Sequence, residues 1–399
     1  MSNLKTLLNF TRQGAGGGVQ NALSFLTTLA TIDDTDNYIV FVRKSSPIAA
    51  AAKASRFTCR ELTSRDRFLI DFSTRCRREF TCGQVCFTFF GPPWIASKGY
   101  LLNVCGVAYS NLYYPEIEFW KHYKGICRLR RELTDRLRLW SLSRADYWIF
   151  ETEVLAQRAL QYAKYPEKRV GVVSMTASSL VSPENVQPDS ASIFNHRIPA
   201  GFRFLFLAGP APNKQIHTLA AIAKELRTLT DLRFIVVTTL AEDSPYYKIV
   251  AKAFSHYRTE ECWYNIGPCP YDKVASLIDS CQAMCTFSIL ESFSNNFVEA
   301  WIMNKPLLVC DTDWGRASAG DAAIYVEPNN PAKAARAMLR IMNDNQFYAH
   351  VTKQGTIRLS QYPTAIEKCK DYLDQINNAR RLGILPREYR KTIQKWRCR

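Results

Sequence analysis

Glu291 and Glu299 lie eight residues apart in a segment that joins a predicted strand to a predicted helix. Doubly wound sheets bind their ligands at such positions, beyond the carboxyl ends of the strands. Glu299, one to two turns into the helix, can accept two hydrogen bonds from vicinal hydroxyls, and Glu291 would project towards a ligand. Taken alone, two glutamates at this spacing are more often surface residues, so the site depends on further motifs.

Two helix N-termini are candidates for anion binding. Serine is favoured at the N-cap, so the helix after Glu291 is expected to begin at Ser294, and amides near Asn295 and Asn296 would face an anion. In a second stretch, residues 14–19, glycines precede a helical pattern and would let backbone amides approach a phosphate. Its spacing matches neither G-x-G-x-x-G nor a P-loop, and a flexible turn explains these glycines equally well.

Strands and helices alternate in both halves of the chain, which is typical of α/β folds. The first half has predicted strands over 38–43, 87–90, 104–108 and 147–150, and helices over 19–29 and 126–140. An irregular connection is expected over 174–201. Beyond it, predicted strands over 202–208, 233–239, 262–266, 284–288, 307–310 and 322–326 alternate with helices over 214–229, from 271, over 294–303 and from 331. A last helix over 363–376 is expected to return to the first domain.

The segment from Glu291 to Glu299 resembles the E-x7-E motif of retaining glycosyltransferases of family 4 (glycosyl transferases group 1), which have the GT-B fold. Residues 300–309 resemble that family's EAxxxGxPVV run, with Asn304 in place of a glycine. Asparagine tolerates the left-handed conformation that such a helix end requires. Further likenesses are found at Gly17-Gly18, at 145–150, at 204–214, and at 320–323 with Pro328. The match is thus strong over 202–345 and loose over 53–144.

This resemblance implies two Rossmann-like doubly wound domains facing a cleft. Residues 1–175 would form an acceptor-side domain, and residues 190–354 a nucleotide-sugar-binding domain. Residues 355–399 would return to the first domain. The activity implied is sugar transfer from a nucleotide-diphosphate sugar to a glycan or lipid-linked glycan with retention of configuration, as in surface polysaccharide or lipopolysaccharide synthesis. No metal or other cofactor is expected.

The resemblance also implies a role for each site residue. Lys214 would bind the donor diphosphate, Glu299 the ribose hydroxyls, and Glu291 the donor sugar, so Glu291 and Lys214 would carry catalysis in separable steps. The phosphate site would be completed by amides of Gly17, Gly18, Ser294, Asn295 and Asn296.

The chain departs from the family at two points. No arginine shortly precedes Lys214, so phosphate stabilisation must come from elsewhere or be weaker. No histidine lies between residues 87 and 121, and His122 is a weak substitute for the usual histidine of the first domain. Asp311 and Asp313 form a D-x-D sequence, which we interpret as a turn rather than a metal site. His217 is expected to be a packed or capping histidine.

Composition sets further bounds. The net charge of +16 is concentrated in residues 53–144, with 17 basic and 8 acidic side chains, and in residues 380–399, with 8 basic and 1 acidic. Such regions suit anionic lipid, phosphate or nucleic acid, or are solvated surface. The 13 cysteines lack paired spacing, and we expect reduced thiols. No apolar run reaches membrane-span length and no signal peptide is recognised, which favours a cytoplasmic protein, at most peripheral on the cytosolic membrane face.

Three alternatives stay open. One is another GT-B activity, of the glycogen-synthase or phosphorylase kind. A basic nucleic-acid-binding protein would explain the charge, although the arginines are not interleaved with an RNP-like aromatic pattern. A catalytically inactive sugar-nucleotide-binding protein would explain the motifs, although Lys214, Glu291 and Glu299 are all present.

Overall fold

The alternating elements form two parallel sheets in the computed structural model, which describes residues 4–14, 16–72, 80–81, 84–177, 179–327 and 329–386. The chain divides into two compact units, residues 1–176 with 363–399 and residues 177–362. The prediction of two Rossmann-like α/β domains is confirmed, whereas the assignment of acceptor and donor sides remains a prediction. Pro328 and most of the basic tail, residues 387–399, lie outside the described residues.

The first unit has a seven-stranded parallel sheet in the order β3-β2-β1-β4-β5-β6-β7. Its strands are β1 (Thr6–Asn9), β2 (Tyr38–Arg43), β3 (Thr58–Leu62), β4 (Val85–Thr88), β5 (Leu102–Val107), β6 (Tyr147–Phe150) and β7 (Val170–Val172). Its helices are α1 (Gly17–Ile32), α2 (Pro47–Ala54), α3 (Ser64–Phe72), α4 (Gly125–Leu142) and α5 (Glu153–Ala163). The central strands β1, β4, β5 and β6 are buried along their whole length, as expected of a sheet covered on both faces.

The second unit has a six-stranded parallel sheet in the order β10-β9-β8-β11-β12-β13. Its strands are β8 (Phe202–Phe206), β9 (Phe234–Thr238), β10 (Trp263–Asn265), β11 (Ala283–Thr286), β12 (Leu307–Cys310) and β13 (Ile324–Val326). Its helices are α6 (Pro188–Arg197), α7 (Leu219–Leu229), α8 (Pro245–Tyr257), α9 (Val274–Asp279), α10 (Asn295–Ile302), α11 (Asp313–Ala319), α12 (Pro331–Asn343) and α13 (Asn345–Leu359).

Helix α14 (Ala365–Leu382) follows the second unit in the chain but packs in the first. Its buried Tyr372 contacts the ring of Phe25 on α1 and that of Phe87 on β4, with ring centroids 5.5 and 5.4 Å apart. Lys368, one turn earlier, donates a hydrogen bond to Asn21 of α1 at 2.8 Å. Burial lowers the pKa of Lys368 to about 8.

Two predicted segments are wrong in detail. The connection over 174–201 is not irregular throughout, because α6 lies within it and is held by Arg203, which donates to Asn195 at 2.6 Å. The helix predicted from residue 214 begins at Leu219 instead. Gln215 has a left-handed φ of 53°, so the chain makes two short 3-10 turns before α7.

Candidate active site

The second sheet places two loops side by side. Strands β8 and β11 are neighbours at the point where the strand order reverses, which is where doubly wound sheets bind ligands. The loop after β8 carries Lys214, and the loop after β11 carries Glu291. The two loops are joined by their backbones, since the amide of Ile289 donates to the carbonyl of Asn213 at 2.9 Å.

Lys214 and Glu291 form an ion pair at this edge of the sheet. The Nζ of Lys214 donates to Oε1 of Glu291 at 2.6 Å, and the two side chains are 23% and 13% exposed. The hydroxyl of the fully buried Ser288 donates to the same carboxylate oxygen. The structure therefore brings together the two residues that the sequence predicts as catalytic, and it neutralises the lysine before any substrate arrives.

Side-chain hydrogen bonds hold the start of helix α10 against the carboxyl ends of β8 and β11. The side-chain amide of Asn296 donates to the carbonyl of Leu207 at 2.8 Å and to the hydroxyl of Thr286 at 3.2 Å. Both of its donor contacts are thus within the fold, so any anion contact from this residue must use its backbone amide. Trp314 of α11 fixes the facing loop, because its indole donates to the carbonyl of Ile289 at 3.3 Å.

The remaining predicted residues of α10 are largely buried. Ser294 is at the N-cap position, as predicted, but its side chain makes no capping hydrogen bond. Asn295 is the first residue of the helix and is half-buried. Glu299 is 2% exposed and interacts within the protein. Asn304 ends the following turn with a φ of 51°, the left-handed conformation expected from its place in the motif.

The glycine-rich stretch occupies the matching position in the first unit. It follows β1, whose neighbours β2 and β4 lie on either side of the strand-order reversal. Gly16 has a φ of 73°, and α1 begins at Gly17, which is exposed. A Cβ on Gly18 would meet the side-chain oxygen of Gln13 at 2.3 Å. Gln13 is anchored in turn, donating to the carbonyl of Phe90 at 3.1 Å.

Three arginines beside this loop were missed by the sequence analysis. Arg43 donates to the carbonyl of Thr11 at 3.0 Å, and a Cβ on Gly14 would lie 3.2 Å from its Nη1. Burial, followed by the charges of Arg67 and Arg12, lowers the pKa of Arg43. Only Arg12 has a carboxylate partner among the described residues, in a two-pronged pair with Asp71 at 2.9 and 2.6 Å. The Nε of Arg67 is buried without a hydrogen-bond partner.

Arg12 lies in the loop after β1, Arg43 ends β2 and Arg67 lies on α3, so these arginines converge only through the fold. A regional charge count could therefore suggest a basic surface but could not identify the cluster. Guanidinium groups with spare donors next to a glycine-rich helix start can bind phosphate oxygens.

Other residues considered from the sequence lie in local structural contacts. Asp311 forms a two-pronged pair with Arg316 at 2.5 and 2.8 Å, which lowers the pKa of Asp311, and Asp313 lies in the first turn of α11. His217 contacts the hydroxyl of Tyr246 at 3.1 Å. Burial, with the charge of Lys121, lowers the pKa of His122.

The described part of the chain contains no group of three or more His, Cys, Asp and Glu side chains able to hold a metal ion. Among the same residues, no helix is long and apolar enough to cross a membrane. The ten cysteines in these residues are all free.

The fold is shared with solved glycosyltransferase structures. Anabaena HepE in complex with UDP and glucose superposes with a TM-score of 0.69 at 14% identity, over 94% of this chain and 99% of that one. A glycosyltransferase from Rickettsia africae has a TM-score of 0.70 at 12% identity, over 94% and 99%. Sucrose-phosphate synthase from Thermosynechococcus elongatus has a TM-score of 0.68 at 13% identity, over 95% and 99%. At these identities the likeness establishes the GT-B fold.

Residues 201–344 match the family model of glycosyl transferases group 1. The chain is a glycosyltransferase with the GT-B fold. No curated protein sequence matches it. The matched segment of this glycosyltransferase runs from just before β8 to just after α12, so it includes Lys214, Glu291 and Glu299.

Proposed function

We propose that this enzyme transfers a sugar from a nucleotide-diphosphate sugar to a glycan or lipid-linked glycan, with retention of configuration, as a family 4 glycosyltransferase. The observation that carries the proposal is the Lys214–Glu291 pair at the strand-order reversal of the second sheet, within the matched family segment. HepE has been solved with UDP and glucose and with UDP-glucose, which makes UDP-sugars the first donors to test.

Each residue has a physical task in this proposal. Negative charge grows on the diphosphate as its bond to the sugar breaks, so Lys214 stabilises the transition state more than the bound donor. Glu291 contacts the donor sugar. Glu299 accepts hydrogen bonds from the ribose hydroxyls. Its carboxylate is almost fully buried, and hydrogen bonds are strong there because the local dielectric is low.

Backbone amides of Gly17, Gly18, Ser294, Asn295 and Asn296 contribute further phosphate contacts. Within the first unit, Arg12, Arg43 and Arg67 place positive charge beside the glycine-rich start of α1, where it favours a phosphate. In this proposal Lys214 and the helix N-termini neutralise the diphosphate, and the reaction needs no metal ion. We place the enzyme in surface polysaccharide or lipopolysaccharide synthesis, on the cytosolic face of an anionic membrane.

Donor binding and donor turnover test the proposal. Melting temperature is measured with a panel of nucleoside diphosphates and their sugars, and hydrolysis of each stabilising donor is then followed with and without a chelator. A true donor should raise the melting temperature by mass action, and hydrolysis should survive the chelator but fall in the Lys214→Ala and Glu291→Ala variants. Stabilisation by none of the nucleotides would overturn the donor assignment, and loss of turnover on chelation would overturn metal independence.

A further inference from the structure

Helix α4 has an apolar stripe that faces solvent. Ile126, Leu129, Leu133 and Leu137 are 76%, 59%, 54% and 57% exposed. At about 100° per residue they fall on one side of the helix, and the half-buried Trp140 continues the stripe. Four large aliphatic side chains in a row on an 18-residue helix are more than the scattered apolar residues of an ordinary surface.

Two arginines border this stripe, one on each side. Arg130 and Arg136 are exposed, and the arc between them is about 120° wide and contains only the apolar side chains. We call this arc, with its two arginines, the outer face of α4. It contains no acidic residue. The exposed Lys121 and Lys124 precede the helix and add positive charge near its start.

The other charged residues of α4 belong to its inner face and have partners within the protein. Arg128 pairs with Glu132 at 2.7 Å. Arg131 stacks over the ring of Tyr123, 3.8 Å from its centroid. Asp135 accepts from the indole of Trp120 at 2.6 Å and pairs with Arg138 at 2.9 Å. Both acidic side chains of the helix, Glu132 and Asp135, are therefore paired on the inner face, and Arg130 and Arg136 are the two arginines on the solvent-facing side.

We propose that the outer face of α4 is a membrane-docking surface that lies in the headgroup region of an anionic bilayer. The aliphatic side chains would enter the acyl boundary, while Arg130 and Arg136 extend to lipid phosphates on either side. Trp140, at the C-terminal end of the stripe, suits the same interface. The segregation of apolar, cationic and neutralised acidic groups fits this partner, because anionic lipid offers both an apolar layer and negative charge.

A second copy of the chain fits the outer face less well. If α4 paired with its copy as a coiled coil, apolar residues would be needed at alternating spacings of three and four residues. Ile126, Leu129 and Leu133 occupy the first three such positions. The next position of that seam is Arg136, and its copies would face each other or lie close across a dimer. The bilayer imposes no such repulsion.

The inference concerns where the proposed transferase acts, and its test does not depend on sugar transfer. The full-length protein is floated with vesicles of phosphatidylcholine alone and of phosphatidylcholine with phosphatidylglycerol. Wild type should bind the anionic vesicles in a salt-sensitive manner. Leu129→Ser with Leu133→Ser, and separately Arg130→Glu with Arg136→Glu, should each lower binding by about tenfold or more.

Matched substitutions in the second unit control for hydropathy and charge. Leu232→Ser with Ile249→Ser removes two aliphatic side chains that are 52% and 48% exposed, and Lys252→Glu with Arg336→Glu reverses two exposed charges. Both controls should bind as wild type does. Hydrogen exchange should slow in residues 125–142 on anionic vesicles.

Either of two results would overturn the proposal. One is binding of the α4 variants to anionic vesicles at the wild-type level. The other is no binding of wild type to these vesicles, and a wild-type dimer in sedimentation that the leucine substitutions dissociate would then assign the outer face to a second copy. A failure of nucleotide binding would count against the proposed function and leave this result unaffected.

Discussion

The ion pair between Lys214 and Glu291 couples two roles that the sequence suggests are separable. A donor diphosphate must take Lys214 from Glu291 or share it, because the ammonium is already hydrogen-bonded to the carboxylate at 2.6 Å. A glutamine at position 291 would keep the shape and could still accept from Ser288, but it would bind the lysine more weakly because the negative charge is gone. We therefore predict that Glu291→Gln binds UDP more tightly than wild type and loses donor turnover.

The magnitude follows from the pair's geometry. A hydrogen bond to a charged group contributes about 1.5–3 kcal/mol. The side chains are only 23% and 13% exposed, so solvent screens part of this but not most. If UDP binding breaks the pair to the extent of about half of this energy, removal of the carboxylate should strengthen UDP binding by about 0.7–1.5 kcal/mol, which is a three- to tenfold lower Kd. Turnover should fall by about a hundredfold, the usual scale for losing one group at the reacting centre.

The assay is a double-mutant cycle with calorimetric UDP affinities. Lys214→Ala should weaken UDP binding by about tenfold, and Glu291→Gln should bring no gain in that background, because there is no lysine to release. Glu327→Gln is the matched control, since it removes a carboxylate paired to Lys333 at 2.7 Å on the surface of the same unit. The reasoning is refuted if Glu291→Gln leaves UDP affinity unchanged, or if it tightens binding equally without Lys214.

Three further predictions concern the supports of the site and the core. Asn296→Ala should lower the free energy of unfolding by about 1–3 kcal/mol, since it leaves the Leu207 carbonyl unpaired; an unchanged urea midpoint would contradict this. Arg67→Met should raise the free energy of unfolding by about 0.5 kcal/mol, because repulsion between the arginines is relieved, and should reduce the stabilisation by inorganic phosphate. Melting temperatures measured with and without phosphate test both effects. Burial raises the pKa of Cys86 to about 12, so the unfolded thiol ionises first and stability is lost as pH rises from about 9 to 12; in reducing urea titrations, Cys86→Ala should lessen that decline by at most about 1.4 kcal/mol per pH unit.

Much of the sheet framework could be predicted because its signals are local. Buried parallel strands are short apolar runs, and β2, β6 and β12 have the bounds that their sequences suggest. The turn at Asn304 was predicted for the same reason, since a left-handed helix end restricts the residue type at one position. By contrast, the start of α7 was misplaced, because nothing in the residues around Gln215 signals that its backbone is left-handed.

The partners of the site residues could not be predicted, because they depend on which strands are neighbours. Lys214 and Glu291 are 77 residues apart, and their contact exists because β8 and β11 pair in the sheet. The amide of Asn296 is a comparable case, since its acceptors lie at the ends of those same two strands. Sequence motifs identify candidate functional residues, whereas the order of strands in the sheet determines which of these residues are in contact.

Helix α4 shows how far a charge count can mislead. Five of its arginines contribute to the excess of 17 basic over 8 acidic side chains in residues 53–144. Three of them lie on the inner face, where Arg128 and Arg138 are paired with carboxylates and Arg131 is stacked over the ring of Tyr123. The attraction to an anionic surface therefore rests on Arg130 and Arg136, and it acts together with the apolar stripe between them. Reversing the charge of the inner arginines would test the stability of the helix, whereas reversing the charge of Arg130 and Arg136 tests its binding to an anionic bilayer.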